Sequence, residues 1–160
     1  MRRDLACLIV AAVLPVLVHA GPTARLQKES VVTHASGTFD VTILPQKDEG
    51  IGDATVSRMA IDKRYHGDLE GTGLGQMLAG MGEQKDSGAY VAVERVNGTL
   101  RGKTGTFAVH HRGIMNRGTQ DLVITVVPDS GTGELAGIAG TMTIEIKDGT
   151  HFYTFDYTLP

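Results

Sequence analysis

The chain has 160 residues, a formal net charge of −3 at pH 7 and 21 glycines. Its basic residues are scattered, whereas binding to a nucleic-acid backbone needs a concentrated basic surface. The composition therefore excludes a nucleic-acid-binding function, and the length predicts one domain with one core.

The first 20 residues have the pattern of a secretory signal peptide. A short basic head at residues 2–3 precedes an apolar run over residues 5–18, and the segment ends at Ala20 with residues typical of a cleavage site. The run is shorter than the ~20 apolar residues that a spanning helix needs. We expect a signal peptide helix that is cleaved after Ala20, so that residues 21–160 are exported to the periplasm or the medium. An uncleaved anchoring helix is the alternative.

The cysteine usage fits the same interpretation. The only cysteine, Cys7, lies in the leader. The exported protein is therefore predicted to have no disulfide, no cysteine nucleophile and no cysteine metal ligand. No later stretch is apolar enough to span a bilayer, so no membrane partner is expected after cleavage.

Short extended segments broken by glycine follow a flexible polar segment at residues 21–34. In residues 38–43 apolar and polar side chains alternate, which is the pattern of a strand with one buried face. Residues 56–66 carry apolar side chains on one parity, which Lys63 interrupts. The glycine-dense residues 66–88 predict a strand followed by a loose loop.

The second half of the chain carries the stronger strand signals. Asn97-Gly98 predicts a two-residue hairpin turn, and residues 128–131 and 147–149 predict two more turns. The strands between them read AYVAVERV, TLRGKTGTFAVHH, DLVITVV, GIAGTMTIEI and HFYTFDYTL. This meander of seven or eight antiparallel strands predicts a sandwich or a closed barrel. The barrel is favoured because closure removes exposed strand edges.

Two segments resemble nucleotide-binding motifs but do not meet the structural requirements of those motifs. NGTLRGKT resembles a P-loop, but its first glycine is one residue out of register and a strand, not a helix, is predicted to follow. GTGELA fits a dinucleotide fingerprint but also precedes a predicted strand. No cofactor is predicted.

Four segments resemble the bacterial domain-of-unknown-function family 3224. They read YHGDLEG, GAYVAVERVNGTLRGKTGTF, VVPDSGTGELAGIAGTMTIEI and GTHFYTFDYTL. The resemblance implies an all-β domain over residues 35–160, a single antiparallel eight-stranded barrel of allene oxide cyclase-like type. It implies no established activity. Allene oxide cyclases use an acid and a nearby amide on the first strand; Asp40 matches the acid, but Thr42 replaces the amide.

Asp40, Glu94 and His111 are the candidate catalytic residues. Glu94 is a candidate base or hydrogen-bond acceptor, with a cross-strand pair to Arg101 as the alternative. His111 faces inward if Phe107 and Val109 do, with a structural core histidine as the alternative.

The two strands of this predicted hairpin disagree about which sequence parity faces the core. Val91 and Val93 take the parity opposite to Glu94, whereas the apolar residues of the returning strand share the parity of Arg101. A bulge near Gly105 would reconcile the two strands.

Four side chains are candidate ligand contacts, namely Tyr90, His111, Tyr153 and Tyr157. The last two belong to an aromatic stripe with period two that is predicted to be chiefly core. Asp68 and Glu70 share a strand face, which suits calcium binding or acid–base work, with a solvated surface as the alternative. No metal site is predicted.

The leading functional hypothesis is an exported barrel that binds a small, mostly apolar molecule. An isomerase or cyclase acting on a small hydrophobic substrate is the first alternative. The second is a non-catalytic structural module that forms a homo-oligomer around a filled core.

Overall fold

The computed structural model describes residues 31–47 and 55–160, and these form one closed antiparallel barrel. The predicted signal peptide lies outside the described residues, as does most of the segment predicted to be flexible. The strands are β1 Thr33–Pro45, β2 Val56–Gly67, β3 Leu69–Met81, β4 Gly88–Leu100, β5 Lys103–Asn116, β6 Thr119–Val126, β7 Ala139–Lys147 and β8 Thr150–Thr158.

Each strand pairs with the next one along the chain, and β8 pairs with β1 to close the cylinder. The predicted all-β fold and the closed barrel are therefore confirmed. The described part of the chain contains one short helical element, a 3-10 turn at Gly133–Leu135. No helix among the described residues is long and apolar enough to cross a membrane.

The predicted turn at Asn97-Gly98 is wrong. β4 continues through both residues, and the chain reverses at Arg101 and Gly102, where both residues have positive φ. Gly98 is required inside the strand because a Cβ there would collide with the main chain of Glu70 on β3. The strand after Gly102 confirms the rejection of a P-loop.

The predicted pairing of Glu94 with Arg101 and the bulge near Gly105 are wrong for a related reason. Glu94 lies opposite Val109, and the β4–β5 register runs without interruption. Val91 and Val93 face outward, 56% and 57% exposed, so β4 turns its glutamate rather than these valines into the barrel. The parity of the two strands is then consistent.

The two ends of the barrel differ. At one end, the segment between β6 and β7 folds over the opening and inserts Leu135 and Ile138, which pack with Leu69 and Leu100. We call this the plugged end. At the opposite end, which we call the open end, inward-facing side chains such as Met81 remain 67% exposed.

Truncating the plug tests this description. Leu135→Ala removes a fully buried side chain and is expected to lower the free energy of unfolding by about 2–5 kcal/mol. Leu78→Ala, on the outward face of β3, is the matched control and is expected to cost less than about 1 kcal/mol. Urea denaturation measures both, and equal losses would contradict a plug.

Candidate functional site

Four polar side chains meet inside the barrel, between its two ends. Lys63 and Tyr65 come from β2, Glu94 from β4 and His111 from β5, each on the inward parity of its strand. Lys63 is 5%, Glu94 0% and His111 4% exposed. Charged residues are seldom buried this deeply unless they are paired. We call these four residues the polar cluster.

Glu94 is the centre of the polar cluster. Lys63 Nζ donates to its Oε2 at 2.8 Å, and the Tyr65 hydroxyl donates to its Oε1 at 2.8 Å. Lys63 Nζ also donates to the Tyr65 hydroxyl at 3.3 Å and lies 4.8 Å from the centroid of the Phe39 ring. The ammonium group is thus held by a carboxylate, a hydroxyl and an aromatic face.

His111 is close to Glu94 but forms no aligned hydrogen bond. Its Nε2 lies 3.3 Å from Glu94 Oε2. Within residues 31–47 and 55–160, Nε2 is the only buried side-chain nitrogen or oxygen without a hydrogen-bond partner. A buried donor left in this way costs about 1–3 kcal/mol, so the atom marks a position that another group can occupy favourably.

The electrostatics fix the protonation of the cluster. Burial raises the pKa of Glu94, but the contacts with His111, Lys63 and Tyr65 outweigh burial and lower the pKa to about 2. Burial and the Glu94 charge raise the pKa of Tyr65 well above 10.0. Glu94 is therefore an ionised acceptor and Tyr65 a protonated donor at neutral pH.

A pH titration tests the ionised state of Glu94. Because its pKa falls from the usual 4.5 to about 2, Glu94 contributes stability above pH 4.5 that is lost as the pH falls towards 2. The wild type is expected to lose about 3 kcal/mol more than Glu94→Gln between pH 5 and pH 2. Identical slopes for the wild type and Glu94→Gln in urea denaturation would contradict this.

Gly73 on β3 makes room for the cluster. A Cβ at this position would collide with the Glu94 carboxyl group and lie against the Tyr65 ring. Gly73→Ala is therefore expected to lower the free energy of unfolding by about 1–3 kcal/mol.

Gly80 on the same strand provides the control, because an added Cβ meets nothing within 4 Å there. Gly80→Ala is expected to raise the free energy of unfolding by about 0.5–1 kcal/mol. Thermal and urea denaturation of the two variants measure the difference. A Gly73→Ala variant as stable as Gly80→Ala would show that β3 does not press on Glu94.

A cavity of about 130 Å³ opens at the open end of the barrel. Its lining is mostly apolar and includes Met77, Ala79, Met81, Tyr90, Met115 and Leu122. The structure gives the Tyr90 hydroxyl no hydrogen-bond partner among the described residues. Burial and then the Glu94 charge raise the pKa of Tyr90, so the Tyr90 ring lies within the electrostatic reach of the polar cluster.

The structure brings some of the candidate residues together and separates others. Glu94 and His111 are neighbours, and Tyr90 lines the cavity. Asp40 faces solvent with 88% exposure, near His66 on the outer surface. It therefore lies apart from the polar cluster.

The other two tyrosine candidates lie deeper in the core. The Tyr153 hydroxyl accepts a hydrogen bond from the backbone N–H of Leu69 at 2.9 Å. Tyr157 stacks on Phe155, with ring centroids 5.2 Å apart. Both positions agree with the aromatic stripe predicted as core.

Asp68 and Glu70 bind backbone groups rather than each other. Asp68 accepts a hydrogen bond from the Ser36 N–H at 3.0 Å, and Glu70 accepts one from the Gly67 N–H at 2.8 Å. Among the described residues, no group of three or more His, Cys, Asp or Glu side chains is arranged to hold a metal ion.

Sequence reasoning missed Lys63 and Tyr65 as site residues. The signal was present, because Lys63 interrupts the inward row of Met59, Ile61 and Tyr65 on β2. A lysine on the inward parity of a barrel strand needs a buried anion, and Glu94 lies on the inward parity of β4.

Comparison with known proteins places the chain in a family. A family model described as "Protein of unknown function (DUF3224)" matches residues 35–157. The chain belongs to the DUF3224 family. No curated protein matches it.

A crystal structure from Shewanella oneidensis MR-1 is similar throughout its length. That protein is described as a DUF3224 family member of unknown function. It is 44% identical to this chain, and the match covers 81% of this chain and 99% of that one, with a TM-score of 0.75. The barrel is thus shared with a DUF3224 relative, and a shared fold does not by itself assign an activity.

Proposed function

We propose that this DUF3224 protein is an exported barrel that binds a small, mostly apolar molecule at its open end. The observation that carries the proposal is the apolar cavity beside the polar cluster, whose His111 Nε2 lacks a partner. Ligand sites typically combine an apolar lining with a few convergent polar groups.

The exposure of the open end supports a binding role. Met81 and Ile146 lie on inward-facing parities yet remain 67% and 58% exposed. The same kind of side chain is fully buried at the plugged end. A ligand in the cavity would remove apolar surface from water, at about 25 cal/mol per Å².

The polar cluster supports a ligand anchor better than a purely structural role. A well-packed apolar core of similar volume is often as stable as a buried ion pair, because both charges must be removed from water. Lys63 binds Glu94, which is two residues from Ala92 on the inward parity of β4, and Ala92 pairs with the cavity residue Met77. Their position suits the recognition of one polar group on an otherwise apolar ligand.

The same electrostatics argue against Glu94 as a general base. An efficient base has a pKa near the working pH, and the pKa of Glu94 is about 2. Asp40, the other acidic candidate, lies on the outside of the barrel. Binding is therefore favoured over the isomerase or cyclase alternative.

Export and the finer barrel type belong to the same proposal. The basic head and apolar run of the first 20 residues support a cleaved signal peptide. The eight-stranded closed meander supports the allene oxide cyclase-like type.

Export is tested by sequencing the N-terminus of protein recovered from the periplasm, where Gly21 is expected first.

The methionines provide the test of binding. Met77, Met81 and Met115 line the cavity, whereas Met142 lies in the core near the plugged end. In a titration with methylcyclohexane, the ¹³C-methyl NMR signals of the three cavity methionines are expected to shift while that of Met142 stays unchanged.

A pair of variants controls this titration. Ala79→Phe fills the cavity and is expected to abolish the shifts, whereas Ala60→Phe, on the outward face of β2, is expected to preserve them. Shifts that are absent in the wild type, or that persist in Ala79→Phe, would contradict binding in this cavity.

A further inference from the structure

We infer that the polar group of the ligand is a hydroxyl, held between His111 Nε2 and the carboxylate of Glu94. The inference rests on the proposed function and specifies its ligand class, an apolar alcohol. It follows from the hydrogen-bonding capacity that the polar cluster leaves unused.

The first unused capacity is a donor. His111 Nε2 lies 3.3 Å from an ionised carboxylate oxygen, and a nitrogen lone pair facing that oxygen would be repelled. The tautomer with hydrogen on Nε2 is therefore the favourable one. This hydrogen is not aligned with Glu94, so the donor is unsatisfied.

The second unused capacity is an acceptor. Tyr65 occupies one site on Glu94 Oε1, and Lys63 occupies one site on Oε2. A carboxylate has about four acceptor sites in total. Glu94 therefore has room to accept one more hydrogen bond beside His111.

A hydroxyl fits this donor and acceptor pair best. It accepts from His111 Nε2 and donates to Glu94 through a single oxygen atom. A ketone also accepts from Nε2, but its oxygen has no hydrogen to donate to Glu94. That oxygen would then face the carboxylate oxygen and be repelled by it. A ligand carboxylate adds like-charge repulsion, and a hydrocarbon leaves the donor unsatisfied.

The cavity lies close enough to His111 for a ligand in it to place a hydroxyl beside the imidazole. Gly113, which lines the cavity, is two residues from His111 on the same face of β5, a step of about 7 Å. Ala92 lies opposite His111 across β4 and β5, and the cavity residue Met77 lies opposite Ala92 across β3 and β4. Methionine adapts readily to a neighbouring ligand, and alanine places no long side chain between the cavity and the buried imidazole.

A series of matched probes tests the inference on the wild-type protein. Dissociation constants are measured from the methionine methyl shifts for cyclohexanol, cyclohexanone, cyclohexanecarboxylate and methylcyclohexane. Cyclohexanol is expected to bind about tenfold more tightly than methylcyclohexane, because it satisfies the buried donor. Cyclohexanone is expected between these two, and cyclohexanecarboxylate is expected to bind most weakly.

The outcomes separate this inference from the proposed function. If cyclohexanol and methylcyclohexane bind equally, the hydroxyl assignment is overturned while binding in the cavity stands, as it would be if a water occupied the position. If the ketone or the carboxylate binds as tightly as the alcohol, the assignment is also overturned. If none of the four probes shifts the cavity methionines, the proposed function falls and this inference falls with it.

Substitution of His111 provides the second arm. In His111→Phe the preference for cyclohexanol over methylcyclohexane is expected to fall to about onefold, while in His111→Gln, which keeps a donor, part of the preference is expected to remain. Far-UV circular dichroism and the melting temperature establish that each variant is folded. A full preference in folded His111→Phe would overturn the inference, and the wild-type series decides alone if that variant does not fold.

Discussion

The rest of the structure depends on the ion pair between Lys63 and Glu94 inside the barrel. Removing two charges from water costs several kcal/mol per ion, and only close pairing with further hydrogen bonds offsets that cost. The 2.8 Å contact, the Tyr65 hydroxyl and the Phe39 ring supply these partners. The pair therefore determines which residues can surround it, including a glycine at position 73.

The ion pair also lies between two unlike halves of the barrel. Towards the plugged end, Leu135 and Ile138 complete a core of the ordinary kind. Towards the open end, apolar side chains face inward around a cavity and remain in contact with water. Glu94, paired with Lys63, lies beside His111 at this boundary. The filled core and the proposed binding cavity thus lie towards opposite ends of the barrel.

Much of this fold follows from the sequence, because alternation and glycine-rich turns determine antiparallel strands and closure is the way to remove their edges. The inward position of His111 followed from the parity of β5. The Asn97-Gly98 turn failed because close packing against β3, not turn propensity, decides the conformation of Gly98. The outward face of Val91 and Val93 could not be read locally, since β4 buries a glutamate whose partner, Lys63, is 31 residues away in sequence.

A double-mutant cycle of Lys63→Met and Glu94→Leu, measured by urea denaturation, tests the central claim most directly. Each single substitution leaves an unpaired buried charge and is expected to lower the free energy of unfolding by about 3–5 kcal/mol. The double variant is expected to lose far less than the sum of the two, because no unpaired charge remains. Additive losses, each below about 1 kcal/mol as for exposed pairs, would contradict a buried ion pair at the centre of this barrel.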